Sequence, residues 1–288
     1  MTITMPQTAE CKPAIEAFIA KHDTVAALPE NTSRIIQMAG DRDCNTTQLV
    51  RLISQDAALA GQIMKAVNSA YYALPTKLTR LDRAVAFMGL RAVKEVTLSE
   101  TLRKISKPVK LGNHDARSLW DHSIGVAIMA RELALKSKAM DPEEAFLAGM
   151  LHDIALLLAA QSEPADGSQL FTRAETEGAR FEAIEQEVYG FSHCELGERL
   201  AGKWKLPEQV ASVMRWHHEP HNAPEAHRAM CIHIYVADTL CCLANVGCPL
   251  TCRSQQVTDE DLSATGLSRE VTAETAGKLR ILLRLFMN

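Results

Sequence analysis

Apolar residues recur along the chain at intervals of three and four, the spacing of a helix face, and no strong run of alternating apolar and polar positions appears. Leu49, Leu52 and Ile53 follow a cap formed by Asn45 with Gln48, which predicts a first helix. Leu59, Ile63 and Val67 mark a second over residues 56–69, and Thr79 with Asp82 opens a third that ends near Gly89. A fourth runs from about Arg91 to Ile105. KPVKLGN, residues 107–113, breaks the pattern with a proline and a glycine, so the boundary between two helical lobes, 1–112 and 113–288, is placed there.

The second lobe opens with a helix over about 115–136, whose stripe of Leu119, Val126 and Leu133 also contains His122. Asp141-Pro142-Glu143-Glu144 is a strong start for the next helix, which takes in the apolar run AFLAGMLHDIALLL (145–158) and carries His152 and Asp153 in its middle. Residues 161–168, with Pro164 and Gly167, read as a loop. Phe181, Ile184 and Val188 mark a further helix ended by Gly190, and Ser192 with Glu195 forms a capping box that puts His193 in a first helical turn. After Pro207 the stripe Val210, Val213, Met214 continues to His217 and His218, and in the helix beyond Pro220 the face Met230, Ile234, Cys241 includes Asp238. A last helix over about 274–286 closes the lobe. The fold expected is all-α.

Composition adds little to this picture, at 47% hydrophobic and 23% charged with 5% aromatic residues. A formal net charge of −4 argues against a general polyanion binder. Residues 77–110 depart from that balance, with nine Lys or Arg against three Asp or Glu, a net of +6. Arg80, Arg83, Arg91 and Lys94 are thus a candidate patch for an anionic partner, and the two helices meeting at Gly89 resemble a DNA-reading helix-turn-helix, although nucleic acid is the weaker expectation. The N-terminus has no signal-peptide pattern and no apolar run approaches a membrane span of roughly 18 residues, which predicts a cytoplasmic protein without a membrane partner. Eight cysteines, five of them between Cys231 and Cys252, contain no CxxC pair and read as reduced, small apolar residues.

The chemistry lies in the inward polar residues. Imidazoles and carboxylates suit divalent transition metals such as Fe, Mn, Zn or Ni, and a helical bundle can collect them from several helices. The order His122, His152-Asp153, Asp238 resembles the metal-binding motif of the HD superfamily of phosphohydrolases, and His193, His217 and His218 fall where its HD-GYP cyclic-di-GMP phosphodiesterase branch carries further ligands. LPENTSRIIQMAGD, LVRLISQDAALAGQIMKAVNSAYYALP and LDRAVAFMGLRAV are similar to the segments that precede the HD-like part in the HDOD family of bacterial signalling output domains. The resemblance covers roughly residues 20–250.

It implies an N-terminal helical lobe followed by an HD-like bundle. It also implies a metal held by His122, His152, Asp153 and Asp238, with His193, His217 and His218 for a second metal or a phosphate. Three departures bear on activity: Leu156 stands where HD-GYP proteins have a phosphate-holding lysine, Ser118 where they have a bridging glutamate, and the GYP segment is missing. The expectation is therefore a non-catalytic signal-transduction module of the response-regulator type. Its partner would be another signalling protein, a histidine kinase or a cyclic-di-GMP enzyme, with a nucleotide as a candidate ligand. A metal-dependent phosphohydrolase acting on a nucleotide or cyclic dinucleotide is the alternative.

Overall fold

A computed structural model describes residues 13–23, 31–32, 34–35, 38, 44–69, 72, 74–105, 109–248, 250–251 and 255–287. Among these the regular structure is helical apart from one pair of two-residue strands, β1 (Lys110–Leu111) and β2 (His114–Asp115), antiparallel about a turn at Gly112. That pair lies where the sequence turns irregular.

The helices pack around two apolar cores. The smaller gathers Ile35 with Leu49, Leu52 and Ile53 of α2 (Thr46–Ser54) and Leu59, Ile63 and Val67 of α3 (Ala57–Val67). Asn45 and Asp56 cap these two helices through their side chains. Ala84, Val85 and Val93 of α4 (Leu81–Ile105) complete this core. The two helices expected around Gly89 are both present and run on from one another, broken where Gly89 takes φ 79° and ψ 164°. Helix α1 (Pro13–Lys21) precedes this lobe in sequence, yet its Ile15 and Phe18 belong to the larger core.

The larger core is organised around α5 (Ala116–Ser137), buried along most of its length and packed against α6 (Pro142–Leu151), α12 (Glu225–Leu243) and α14 (Arg269–Met287). The long apolar helix expected over 145–158 is two helices: α6 ends at Leu151 and α7 (Ile154–Ser162) starts after a turn at His152-Asp153. An uninterrupted helix would spread its side chains around one axis, whereas the turn swings this ionisable pair to one side. Residues 142–162 are also long and apolar enough to cross a membrane, contrary to the expectation, but 89% of that window is buried inside the protein's own core.

Three other expectations need correction. The stretch expected to be a loop at 161–168 mostly enters α8 (Pro164–Thr176), because proline is well suited to a first helical position and Leu170, Phe171 and Ala174 supply a buried face behind it. Thr258 and Asp261 form a capping box that opens the unanticipated α13 (Asp259–Ala264), and α14 begins at Arg269 rather than at Glu274. Cys242, half-buried at the end of α12, is disulfide-bonded and not an apolar filler. Cys194, Cys231, Cys241 and Cys248 are free and buried, Cys44 is free and half-buried, and Cys11 and Cys252 lie outside the described residues.

Candidate metal centre

Five segments of the larger lobe bring all seven predicted residues to one place. Helix α5 supplies His122, the α6–α7 turn His152 and Asp153, and α10 (His193–Lys203) His193 from its first turn. His217 and His218 follow α11 (Glu208–Trp216), and α12 supplies Asp238. The capping box of Ser192 with Glu195 forms as expected and fixes where α10 begins. His122, His152, His217 and Asp238 are wholly buried, with Asp153 and His193 at 2% and 1% exposure.

Four of the five imidazoles are held in one sense, His218 being the exception because its Nδ1 faces the Gln255 amide nitrogen. Nδ1 of His122 lies 3.1 Å from the Val246 carbonyl, that of His152 2.7 Å from the Gly149 carbonyl, and that of His217 3.0 Å from the Val213 carbonyl. His193 Nδ1 lies 2.7 Å from the carboxylate of buried Glu185 on α9 (Phe181–Val188), which also accepts from the His193 backbone N–H. Each of these Nδ1 atoms thus donates outward and its Nε2 faces the middle, the orientation that outer partners give to metal-binding histidines.

The middle is rich in acceptors. Asp153 Oδ2 lies 3.3 Å from His152 Nε2, and its Oδ1 lies 3.3 Å from His193 Nε2 and 3.2 Å from His217 Nε2. Asp238 Oδ1 lies 2.9 Å from His122 Nε2. Yet both Asp153 oxygens and His152 Nε2 are buried without a properly directed hydrogen bond, a costly condition for polar atoms in a core. Asp153 precedes α7 as an N-cap would but makes no cap bond, its carboxylate being directed to the imidazoles instead. Three clusters result among the described residues, His122 with His152 and Asp153, His122 again with Asp238 and Cys242, and His193 with Cys194, His217 and His218, each tight enough to hold one ion. Imidazole and carboxylate donors with orphaned buried atoms fit a divalent transition metal.

Charge is distributed unevenly across the centre. Burial opposes a proton on His152, but the Asp153 carboxylate outweighs it and holds His152 up at about 9. Burial also opposes charge on Asp153, which its imidazole neighbours nevertheless keep well below the usual carboxylate range. Burial pushes His217 down and, with the neighbouring imidazoles, pushes His218 further down.

Glu185, Cys194 and Gln255 belong to the site and were not singled out by the sequence reading. Gln255 spans its outer side, its amide nitrogen 2.6 Å from His218 Nδ1 and 3.2 Å from Asp238 Oδ2. Glu185 lies four residues from Phe181 on the inward face of its helix, a spacing that could have revealed it. Gln255 precedes α13 in irregular chain and has no such signal.

The candidate anionic-partner patch is less uniform. Arg80 is paired to Asp82 through two hydrogen bonds of 3.0 and 2.6 Å, Arg83 is exposed and Lys94 is half-buried, while the Arg91 side chain lies outside the described set.

An all-helical bundle with a buried histidine and aspartate centre defines a protein of the HD-related kind. The HDOD domain model matches residues 25–220, and the chain belongs to the HDOD family. A structure of an HDOD domain protein of unknown function from Geobacter sulfurreducens superposes with a TM-score of 0.79 at 23% identity, covering 96% of this chain and 98% of that one. A candidate signal transduction protein from Marinobacter aquaeolei VT8 gives 0.75 at 21% identity, covering 95% of this chain and 62% of the other. An uncharacterized protein of Treponema pallidum (strain Nichols) is 25% identical over 215 residues, which are 72% of this chain and 40% of that protein. The chain thus spans about two fifths of the length of this curated relative.

Proposed function

We propose that the chain is a regulatory output module of bacterial signalling that holds a divalent metal centre and acts through contact with a protein partner, without hydrolysis. The observation that carries this reading is the seal around the donors: six of the seven are at most 2% exposed, the His218 side chain is at 4%, and Gln255 lies across it. A hydrolase must admit a phosphate ester to such a centre. Leu156, where a phosphate-holding lysine would be expected from the HD-GYP resemblance, is itself wholly buried and apolar. The partner fitting this role is another signalling protein, a histidine kinase or a cyclic-di-GMP enzyme, and a nucleotide is a candidate ligand. A cytoplasmic setting accords with such partners.

His122, His152, Asp153 and Asp238 would hold one ion, and His193, His217 and His218 a second. A metal there would neutralise carboxylate charge and could activate water. Completeness of the donor set is what favours the second reading, a metal-dependent phosphohydrolase. Elemental analysis of anaerobically purified protein, paired with assays on bis-p-nitrophenyl phosphate and cyclic-di-GMP, separates the two. Bound metal, lost in His152→Ala, without turnover is the expected result. Metal-dependent turnover that disappears in Asp153→Asn would replace the regulatory reading with the hydrolase.

A further inference from the structure

We propose that Cys194 is itself a metal ligand, completing with His193, His217 and His218 a four-coordinate site that favours Zn2+ or Co2+ over Mn2+ or Mg2+. The inference rests on the metal-centre reading above and extends it to a residue that the HD pattern does not include.

The four donor atoms all lie within 4.8 Å of one another. His193 Nε2 lies 3.4 Å from His217 Nε2, 3.1 Å from His218 Nε2 and 3.4 Å from Cys194 Sγ. A tetrahedral ion with metal–nitrogen bonds of about 2.0–2.1 Å and a metal–sulfur bond of about 2.3 Å sets its nitrogen donors about 3.3 Å apart and sulfur about 3.5 Å from nitrogen. The three separations from His193 Nε2 match those edges within a few tenths of an ångström, and the other three donor pairs lie within 4.8 Å. Position follows from the local sequence: the Ser192 cap starts α10 at His193, so His193 and Cys194 both sit in its first turn, and Glu185 holds the imidazole with Nε2 toward the sulfur.

The ordinary account of Cys194 is a buried thiol packed as a small apolar residue. Burial does push the thiol up. Apolar filling, however, has no use for three imidazoles around the sulfur. Zn2+ and Co2+ accept thiolate and imidazole together, while Mn2+ and Mg2+ prefer oxygen donors. Binding would convert the thiol to thiolate and release its proton to the buffer. Four protein donors also occupy every position of a tetrahedral ion, which leaves none for a hydrolytic water. This half of the centre is then structural or sensing, in accord with the regulatory reading.

The test loads metal-free full-length protein with Co2+ and follows both stoichiometry and the near-ultraviolet sulfur-to-cobalt charge-transfer band. Unmodified protein should bind Co2+ and show the band; Cys194→Ser and Cys194→Ala should lose it while circular dichroism confirms their helicity. Because the unmodified protein is read first, the outcome does not depend on the variants folding. Co2+ bound without the band overturns the Cys194 assignment and leaves the metal-centre reading intact. A band that persists in Cys194→Ser also overturns it, assigning the sulfur to another cysteine. No Co2+ bound at all overturns both.

Discussion

Gly247→Ala is the substitution that most directly couples the fold to the centre. Gly247 has φ 69°, and a Cβ there would lie 2.3 Å from the Ser118 carbonyl oxygen, 2.5 Å from the His122 backbone nitrogen and 2.6 Å from His122 Cβ. The obstacles include the backbone of α5, which cannot move aside as a flexible side-chain end could. The left-handed conformation costs a non-glycine residue roughly 1–2 kcal/mol, and overpacking a rigid contact adds about 1–3 kcal/mol, so destabilisation of about 2–5 kcal/mol is expected. At about 2 °C per kcal/mol for a chain of this size, the melting temperature should fall by roughly 4–10 °C. The displaced segment carries the Val246 carbonyl that orients His122, so metal retention should fall with stability. Urea unfolding and metal content measured on the same preparations check both. Gly277→Ala is the matched control: it lies in α14, a Cβ there meets nothing within 4 Å, and the change should be neutral or stabilising by up to about 1 kcal/mol. Loss of less than about 0.5 kcal/mol in Gly247→Ala, with metal retained, would refute the argument that this approach is tight.

Two further substitutions probe the groups behind the ligands. Glu185→Gln keeps the shape of the side chain that His193 Nδ1 contacts but removes its charge, and metal affinity should drop roughly 10- to 100-fold in a chelator competition; an unchanged affinity would mean that Glu185 serves packing only. His233 lies in the core, where burial pushes it down to about 4, and its Nε2 lies 2.8 Å from the Ala130 carbonyl. Since an unfolded histidine titrates near 6.5, the unfolded state binds more protons between about 4 and 6.5. The contribution of His233 to stability is therefore complete above that upper value and is lost as pH falls toward 4, by about 3 kcal/mol over the window. The difference in unfolding free energy between the unmodified protein and His233→Gln, followed from pH 7 to 4, should narrow by that amount; parallel curves would contradict it.

Much of this arrangement was legible because its local and tertiary requirements coincide. Asn45, Asp141 and Ser192 cap helices where their spacing says they should, and the inward placement of His122 and Asp238 follows from helical period alone. What failed was local readings that tertiary packing overrides. The apolar run 145–158 satisfies a single helix as well as two, and nothing within it announces the turn at His152-Asp153 that aims both side chains at the centre. Pro164 reads equally as a breaker and as a helix start, a choice settled by the burial of Phe171 ten positions from the polar junction at Gln161. Gln255 reaches Asp238 and His218 only because α12 and the segment before α13 fold back on each other, a contact between positions 17 and 37 residues apart.

The polarity of the centre favours an ion site over an ordinary buried hydrogen-bond network. A network that served only to satisfy core histidines would pair its members with one another and leave little unsatisfied, since each orphaned buried group costs about 1–3 kcal/mol. Here the Nδ1 atoms of His122, His152, His193 and His217 all contact backbone carbonyls or Glu185 on the outside, while His152 Nε2 and both Asp153 oxygens lie 3.2–3.3 Å from one another or from Nε2 of His193 and His217 but lack a properly directed hydrogen bond. Such a division leaves the fold carrying a cost that a cation among those atoms would offset. The same division is compatible with Leu156: the donors that would hold an ion come from other positions, and Leu156 is wholly buried and apolar where the HD-GYP resemblance implies a phosphate-holding lysine. On the proposed reading, metal retention and substrate binding are separable in this scaffold, and the residues present would supply the first without the second.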